Sequence, residues 1–218
     1  MPLDRGKYLQ ASALCDFDRS PELRKKAAWL TCGCRNRQEK FKSIFAYVKE
    51  LPYGLEDWDL KASQTLQKGW GMCSGKTNLL VALLRCAGIP ARYRIYLIKA
   101  DVSLWQQVGK ESGNVERINE LGETRDHVDC DVWLGRWIDC DAGRDSAMEQ
   151  GLLSMGASLE RQKITDRRGK VHYIKLAVFD DWARERQARR AFRADRHDVF
   201  AEINRGFETL REIGRANR

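Results

Sequence analysis

Apolar positions recur along this chain in blocks whose period changes, and each change marks a different element. Ser20-Pro21-Glu22 supplies an N-cap hydroxyl, a proline at the first helical position and an acid beside the positive end of the dipole, which predicts a helix to about Leu30. Phe41, Ile44, Phe45 and Val48 follow at three- and four-residue spacing, a second amphipathic helix that stops before Leu51-Pro52. After the break at Gly69-Trp70-Gly71, the stretch from Cys73 to Cys86 is apolar nearly all round, the pattern of a buried helix, with Gly88 and Pro90 as its stop signal. Tyr93, Ile95 and Leu97 then alternate with Arg92, Arg94 and Tyr96, a strand with one face inside.

His127 to Trp133 and Trp137 to Asp141 flank Leu134-Gly135-Arg136 and read as a β-hairpin. Lys99 to Asp126 between them is long and irregular, a short helix plus a lid in expectation, because loops of such length in compact domains serve a function or carry no fixed structure. Ile164 to Val178 suits a further hairpin turning at Arg167-Arg168-Gly169, and Phe192, Val199, Phe200, Ile203, Phe207 and Leu210 mark an amphipathic C-terminal helix. Helices, a buried helix, strands and a closing helix make an α+β domain. The expected organisation is one domain over 1–218, with its core at about 40–180 and a helical appendage at about 181–218.

Composition narrows the classes. The longest apolar run, Leu79 to Leu84, has six residues where a membrane-spanning helix needs about 20. The charged N-terminal stretch lacks the apolar core of a secretory signal, so a cytoplasmic location is expected. Seven scattered Cys argue against a disulfide framework and for thiols packed as small hydrophobes. The net charge of +8 is uneven: Arg19 to Lys49 holds nine basic residues against two acids, and Glu116 to Asp145 holds nine acids against four Arg. The basic stretch suits an acidic partner such as an acyl-carrier protein, and the acidic one a cationic amine. Asp181 to Arg218 mixes ten Arg with seven acids, a solvated helix face. No nucleic-acid-binding signature accompanies the positive charge, so a nucleic-acid partner is not expected.

Gly71-Met72-Cys73-Ser74-Gly75-Lys76-Thr77 resembles a phosphate-binding loop but has three residues between its glycines where four are required, with Trp70 in place of the first Gly. A nucleotide cofactor is therefore not expected. The same position suits thiol chemistry: at the start of a buried helix, the dipole and unpaired backbone N–H groups favour thiolate. Two readings of Cys73 stand open on position alone, a nucleophile and a buried structural thiol; Cys86, Cys130 and Cys140 read as structural.

A nucleophilic Cys needs a base and a group to orient it. Of the three His, His172 lies near a turn and His197 on a charge-rich helix, whereas His127 opens the strand dense with Asp. Asp139 and Asp141 share its parity across the hairpin, so either carboxylate can orient the imidazole. For Asp129 and Asp131 a solvated strand face is one open reading. Asp126, His127, Asp129 and Asp131 also cluster as metal-ligand types, but one His and no CxxC pair give a zinc site little support, and Cys32-Gly33-Cys34 alone is not one.

These residues together resemble the transglutaminase-like domains, relatives of papain-fold thiol enzymes that include transglutaminases, microbial proteases and peptide N-glycanases. The resemblance runs from about Ala62 to Arg144 and rests on Gly71-Met72-Cys73-Ser74, on Leu79 to Arg92 with its Ala87-Gly88-Ile89-Pro90-Ala91-Arg92 ending, on His127, and on Gly135-Arg136-Trp137-Ile138-Asp139-Cys140-Asp141. Asp129 stands where the family often has an aromatic, and Ala142 where it has Pro. The resemblance implies a papain-like or transglutaminase-like α+β core, its buried Cys helix packed on an antiparallel sheet, with added N- and C-terminal helices. It implies Cys73 as nucleophile, His127 as base and Asp141 as third member of a thiol-dependent hydrolase or acyltransferase that works through a Cys thioester on a peptide, amide or thioester without cofactor or metal; an amide synthase using a carrier-bound thioester and a non-catalytic binding module on this scaffold are the alternatives. Gln64 and Trp70 enter only by nearness in sequence, as candidates for a second oxyanion donor beside the Cys73 amide.

Overall fold

The buried helix at the centre of the molecule, α4 (Cys73–Cys86), is what the rest is built around. The computed structural model describes residues 5–99, 124–171, 181–183 and 197–217. In chain order the helices are α1 (Pro21–Leu30), α2 (Arg37–Glu50), α3 (Ala62–Lys68), α4, α5 (Ser146–Ser154) and α6 (His197–Ala216), and the strands are β1 (Ala91–Lys99), β2 (Thr124–Trp133) and β3 (Trp137–Cys140). The strands form one antiparallel sheet in the order β1-β2-β3. Family-level expectation and structure agree on mixed helix and antiparallel sheet.

Local chemistry explains the ends. Ser20 Oγ accepts the Leu23 amide at 3.3 Å to start α1, and Asn36 Oδ1 accepts the Glu39 amide at 2.9 Å to start α2. Gly135, at φ 90°, supplies the left-handed residue that turns β2 into β3. Leu79 to Leu84 are each at most 1% exposed and meet Leu23 and Ala27 of α1, Ile44 and Val48 of α2, and Ile95, Val128 and Val132 of the sheet. Burying one such leucine stabilises the fold by about 1.5–3 kcal/mol, and cutting one to alanine costs about 2–5 kcal/mol because a cavity remains.

A helix buried on all sides must satisfy its polar groups internally. Lys76 Nζ donates to the carbonyls of Leu51 (2.6 Å) and Lys49 (3.2 Å). Asn78 donates to Leu60 O and accepts from Trp182 Nε1, each at 2.9 Å. Arg85 donates through Nε and Nη2 to Ala91 O at 3.1 and 2.8 Å, fixing the turn from α4 into β1. Thr77 Oγ1 donates to Val128 O at 3.1 Å, which locks α4 to the strand residue next to His127.

Two helices, α3 and α5, lack the strong period that announces a helix. A second core, of Leu55, Met148, Leu152, Ile203, Phe207 and Leu210, joins α5 to α6. The expected turn near Arg167-Arg168-Gly169 is present, with Thr165 bridged to Val171, while His172 and the rest of that hairpin, Phe192, and the segment 100–123 expected to hold a lid lie outside the described residues. Among the described residues no helix is long and apolar enough to cross a membrane.

Candidate active site

Cys73 is the first residue of α4, and His127 lies on β2 on the same face as Asp129 and Asp131, one residue before Val128, whose carbonyl ties the strand to that helix. The thiol and the imidazole are near enough for each to shift the other's hold on its proton. His127 Nε2 is 2.9 Å from Asp141 Oδ2, so the nitrogen left for the sulfur is Nδ1. The hairpin register explains the choice of carboxylate: Asp131 pairs with Asp139, which places Asp141 one diagonal step from the residue opposite His127 and Asp139 two further along. Asp139 is instead 63% exposed and lies 3.4 Å from Arg94. Asp141 Oδ1 accepts the Gly143 amide at 2.7 Å.

Burial by itself raises the Cys73 thiol; the hydrogen bond and positive charge of His127, a backbone hydrogen bond at Val128 and the charge of Arg161 outweigh it, and the net direction is down. Burial and Arg161 push the imidazole down, but Asp141 and the Cys73 hydrogen bond hold its proton, and it rises to about 9. Burial opposes ionisation of Asp141, yet His127 and Arg161 keep its carboxyl well below the carboxylate range. All three shifts run in the direction of a thiolate and imidazolium pair beside a carboxylate. Burial pushes Cys15 up to about 12 and Cys86 up to about 11, the direction of inert packed thiols.

The core model of the transglutaminase-like superfamily matches residues 24–142, more than half of the chain. The chain belongs to the transglutaminase-like superfamily. No curated protein matches it. A crystal structure described as a "Putative Cysteine Protease from Cytophaga hutchinsonii" aligns with 84% of this transglutaminase-like chain at 20% identity and a TM-score of 0.50. The aligned part is 49% of that protein, so the chain spans about half its length, and the likeness concerns the fold.

The two side chains considered as oxyanion donors in this transglutaminase-like site each make another contact. Gln64 is exposed, and its Oε1 accepts the Lys61 amide at 2.8 Å, capping α3. The Trp70 ring lies against Gly54, with Lys68 Nζ 3.8 Å from its centroid. The first-turn amides of α4 have no partner within the helix and lie at the end that carries the sulfur.

Asp129 and Asp131 are corrected from a solvated face: they are 2% and 6% exposed. Arg94 grips Asp129 through two hydrogen bonds of 2.7 Å, Tyr96 OH donates to the same carboxylate at 2.7 Å, and Arg92 pairs with Asp131 at 2.9 Å. The acidic surplus of β2 is therefore answered by arginines on β1 directly opposite. Ligand atoms of His127, Asp129 and Asp141 lie within 4.8 Å of one another, a spacing a metal could use. Their lone pairs are already committed to Arg94, Tyr96, Arg161 and the Gly143 amide, and the nearby guanidinium repels a cation, so the donor set fits an ion poorly.

Arg161 is the participant that sequence reasoning missed. Its Nε donates to Asp141 Oδ2 at 2.7 Å. It comes from an irregular segment after α5 with no period or motif, so nothing local marks it. Tyr96 meets the His127 ring edge-on, with centroids 5.4 Å apart, and the alternation that made it an outward residue of β1 hid this.

Proposed function

We propose that this transglutaminase-like chain is a thiol-dependent acyl-transfer enzyme working through a thioester on Cys73. The observation that supports the reading is His127, 2.9 Å from the Asp141 carboxylate and near enough to the Cys73 thiol for the two groups to shift each other's protonation. The Cys73 thiolate attacks the carbonyl carbon of an amide, and the carbonyl electron pair moves to oxygen, where first-turn amides of α4 receive it. Collapse breaks the C–N bond; the amine leaves with the proton of the His127 imidazolium, and the acyl group remains on sulfur. Neutral His127 then takes a proton from water or from an acceptor amine as that nucleophile attacks the thioester, and the thiolate leaves. Asp141 fixes the tautomer and orientation of the imidazole and stabilises its charge.

Water as acceptor makes a hydrolase and an amine makes a transferase. A carrier-bound thioester as donor makes an amide synthase, which the exposed Arg24, Lys25, Arg35, Arg37 and Lys42 on and beside α1 and α2 favour by offering a basic surface to an acidic carrier. Intact-mass analysis with amide and carrier-thioester substrates, with and without amines, separates the three, and association with a carrier that ignores salt removes the electrostatic argument. Iodoacetamide at neutral pH should label Cys73 fastest of the seven thiols, and Cys73→Ala should abolish that fast phase. Equal labelling of the variant would sink the nucleophile assignment.

A further inference from the structure

A groove of about 730 Å³ opens beside Asp141, between the outer face of the sheet and the segment after α5. Its volume is that of a small-ligand or side-chain pocket. Its walls are strongly charged, and the charges divide into those that are answered and those that are not. Asp129 is held by Arg94 and Tyr96. Glu149 is held by Lys49 at 2.6 Å, and Asp141 by His127 and Arg161. Lys163 and the exposed Glu160 are in no ion pair among the described residues, and neither is Arg144, which unlike Glu160 is buried. Arg144 is 7% exposed, lines the groove, and its hydrogen bond is from Nη1 to the Leu159 carbonyl at 3.1 Å, with no carboxylate against it among the described residues.

A buried guanidinium facing one neutral carbonyl is costly, and here a second cation makes it costlier. Arg161 stands close enough that its charge, after burial, is the main influence lowering Arg144's hold on its proton. Nε of Arg161 is committed to Asp141, while Nη2 points towards Gly143, where an added Cβ would come within 2.9 Å of it. Asp141 answers Arg161, and Arg144 is left on the same groove without a carboxylate of its own.

We propose that this groove is a substrate subsite for a carboxylate, received by Arg144 with the free edge of Arg161. This rests on the acyl-transfer reading and names a substrate class for it: a peptide or amide carrying an acidic side chain or a terminal carboxylate close to the bond that is cut. The planar fork of a guanidinium matches a carboxylate with two parallel hydrogen bonds. Asp139 and the exposed Glu160 at the groove favour a singly charged carboxylate over a doubly charged phosphate, which doubles every repulsion.

The test uses the full-length chain and four compounds of one shape: acetyl-glutamine amide as the neutral reference, acetyl-glutamate amide for a side-chain carboxylate, acetyl-glutamine for a terminal carboxylate, and acetyl-phosphoserine amide. Ligand-observed NMR should show one carboxylate compound binding about tenfold more tightly than the neutral one, the worth of one charge-assisted pair. Which of the two binds identifies the source of the carboxylate. In Arg144→Gln the ratio of acid to neutral affinity should fall to about one, and Arg144→Lys should retain part of it. The wild-type comparison stands without either variant should they fail to fold. Equal affinity of acids and neutral compound, a preference unchanged in Arg144→Gln, or tightest binding of the phosphoserine compound overturns the proposal. Iodoacetamide labelling of Cys73, read in parallel, reports on the acyl-transfer reading separately, because it needs no carboxylate.

Discussion

Arg161 Nε approaches Asp141 Oδ2 at 2.7 Å, the same oxygen that faces the imidazole of His127. One carboxylate oxygen therefore serves two cations, and the arginine acts on the thiol chemistry through it. Its charge lowers both the imidazole and the thiol. In Arg161→Gln the alkaline limb of Cys73 alkylation against pH, set by loss of the imidazolium at about 9, should move up, and the acid limb, set by formation of the thiolate, should move up with it. A loss of overall rate with both limbs unmoved would leave Arg161 a structural residue only.

Asp141→Asn should act differently. Without the carboxylate the imidazole loses its largest support and falls from about 9, and the thiol loses the imidazolium beside it. The alkaline limb moves down and the acid limb up, so the active window narrows from both sides. A fall of about 10² or more in turnover at the optimum is expected, the range of positioned acid–base catalysis. Asp139→Asn, its side chain 63% exposed, should leave the profile in place.

Stability should carry the signature of the ion pair. His127 is raised from 6.5 to about 9, so its contribution is complete below 6.5 and disappears as pH climbs through 9. Cys73 is lowered from 9.0, so its contribution is present above 9.0 and disappears as pH falls. Below 9, wherever Cys73 is ionised in the fold and the unfolded imidazole is neutral, the folded pair and the unfolded chain each hold one proton, and the two slopes cancel. Cys73→Ala removes the cancellation: the difference in urea midpoint between wild type and variant should widen as pH rises from 6.5 towards 9. A difference independent of pH would mean that the pair does not exchange its proton within the fold.

Arg94 and Asp129 form a buried clamp across β1 and β2, with side chains 11% and 2% exposed. Arg94→Ala leaves the carboxylate without its cation and should cost about 3–5 kcal/mol by chemical denaturation. The double variant R94M/D129N should recover part of that loss, since the cost lies mainly in the orphaned charge.

Much of this was legible beforehand, for physical reasons. Helix α4 and the hairpin carry dense apolar patterns, and burial on one or all sides leaves that trace in any sequence. The nearness of His127 to Asp141 follows from parity across a short turn. What stayed hidden depends on distance along the chain. Arg94 and Asp129 are 35 residues apart, so a strand of aspartates looked solvated until its arginines were laid opposite. Arg161 reaches the site from a segment with no period. Gln64 looked close to Cys73 in sequence, but a first-turn glutamine has a nearer amide to cap.

Gly151 and Gly214 hold α5 and α6 together by being small. A Cβ on Gly151 would collide with the Leu210 carbonyl, and one on Gly214 with that of Ala147. Backbone cannot step aside as a side chain does, so Gly151→Ala should cost about 1–3 kcal/mol, measured by urea denaturation. If it proves neutral, the two helices are free to slide apart.

Asp145 stands four residues beyond Asp141; it caps α5 through the Met148 amide, accepts the Tyr53 amide, and is paired at 3.0 Å with Arg211 near the end of α6. During synthesis that arginine is added 66 residues after Asp145. Until then Asp145 has its amides but not its cation, and the loop that presents Asp141 is not yet held from below. The thiol is thus made early, while the ground under its carboxylate is laid last, so that a nascent chain carries Cys73 long before it can be armed.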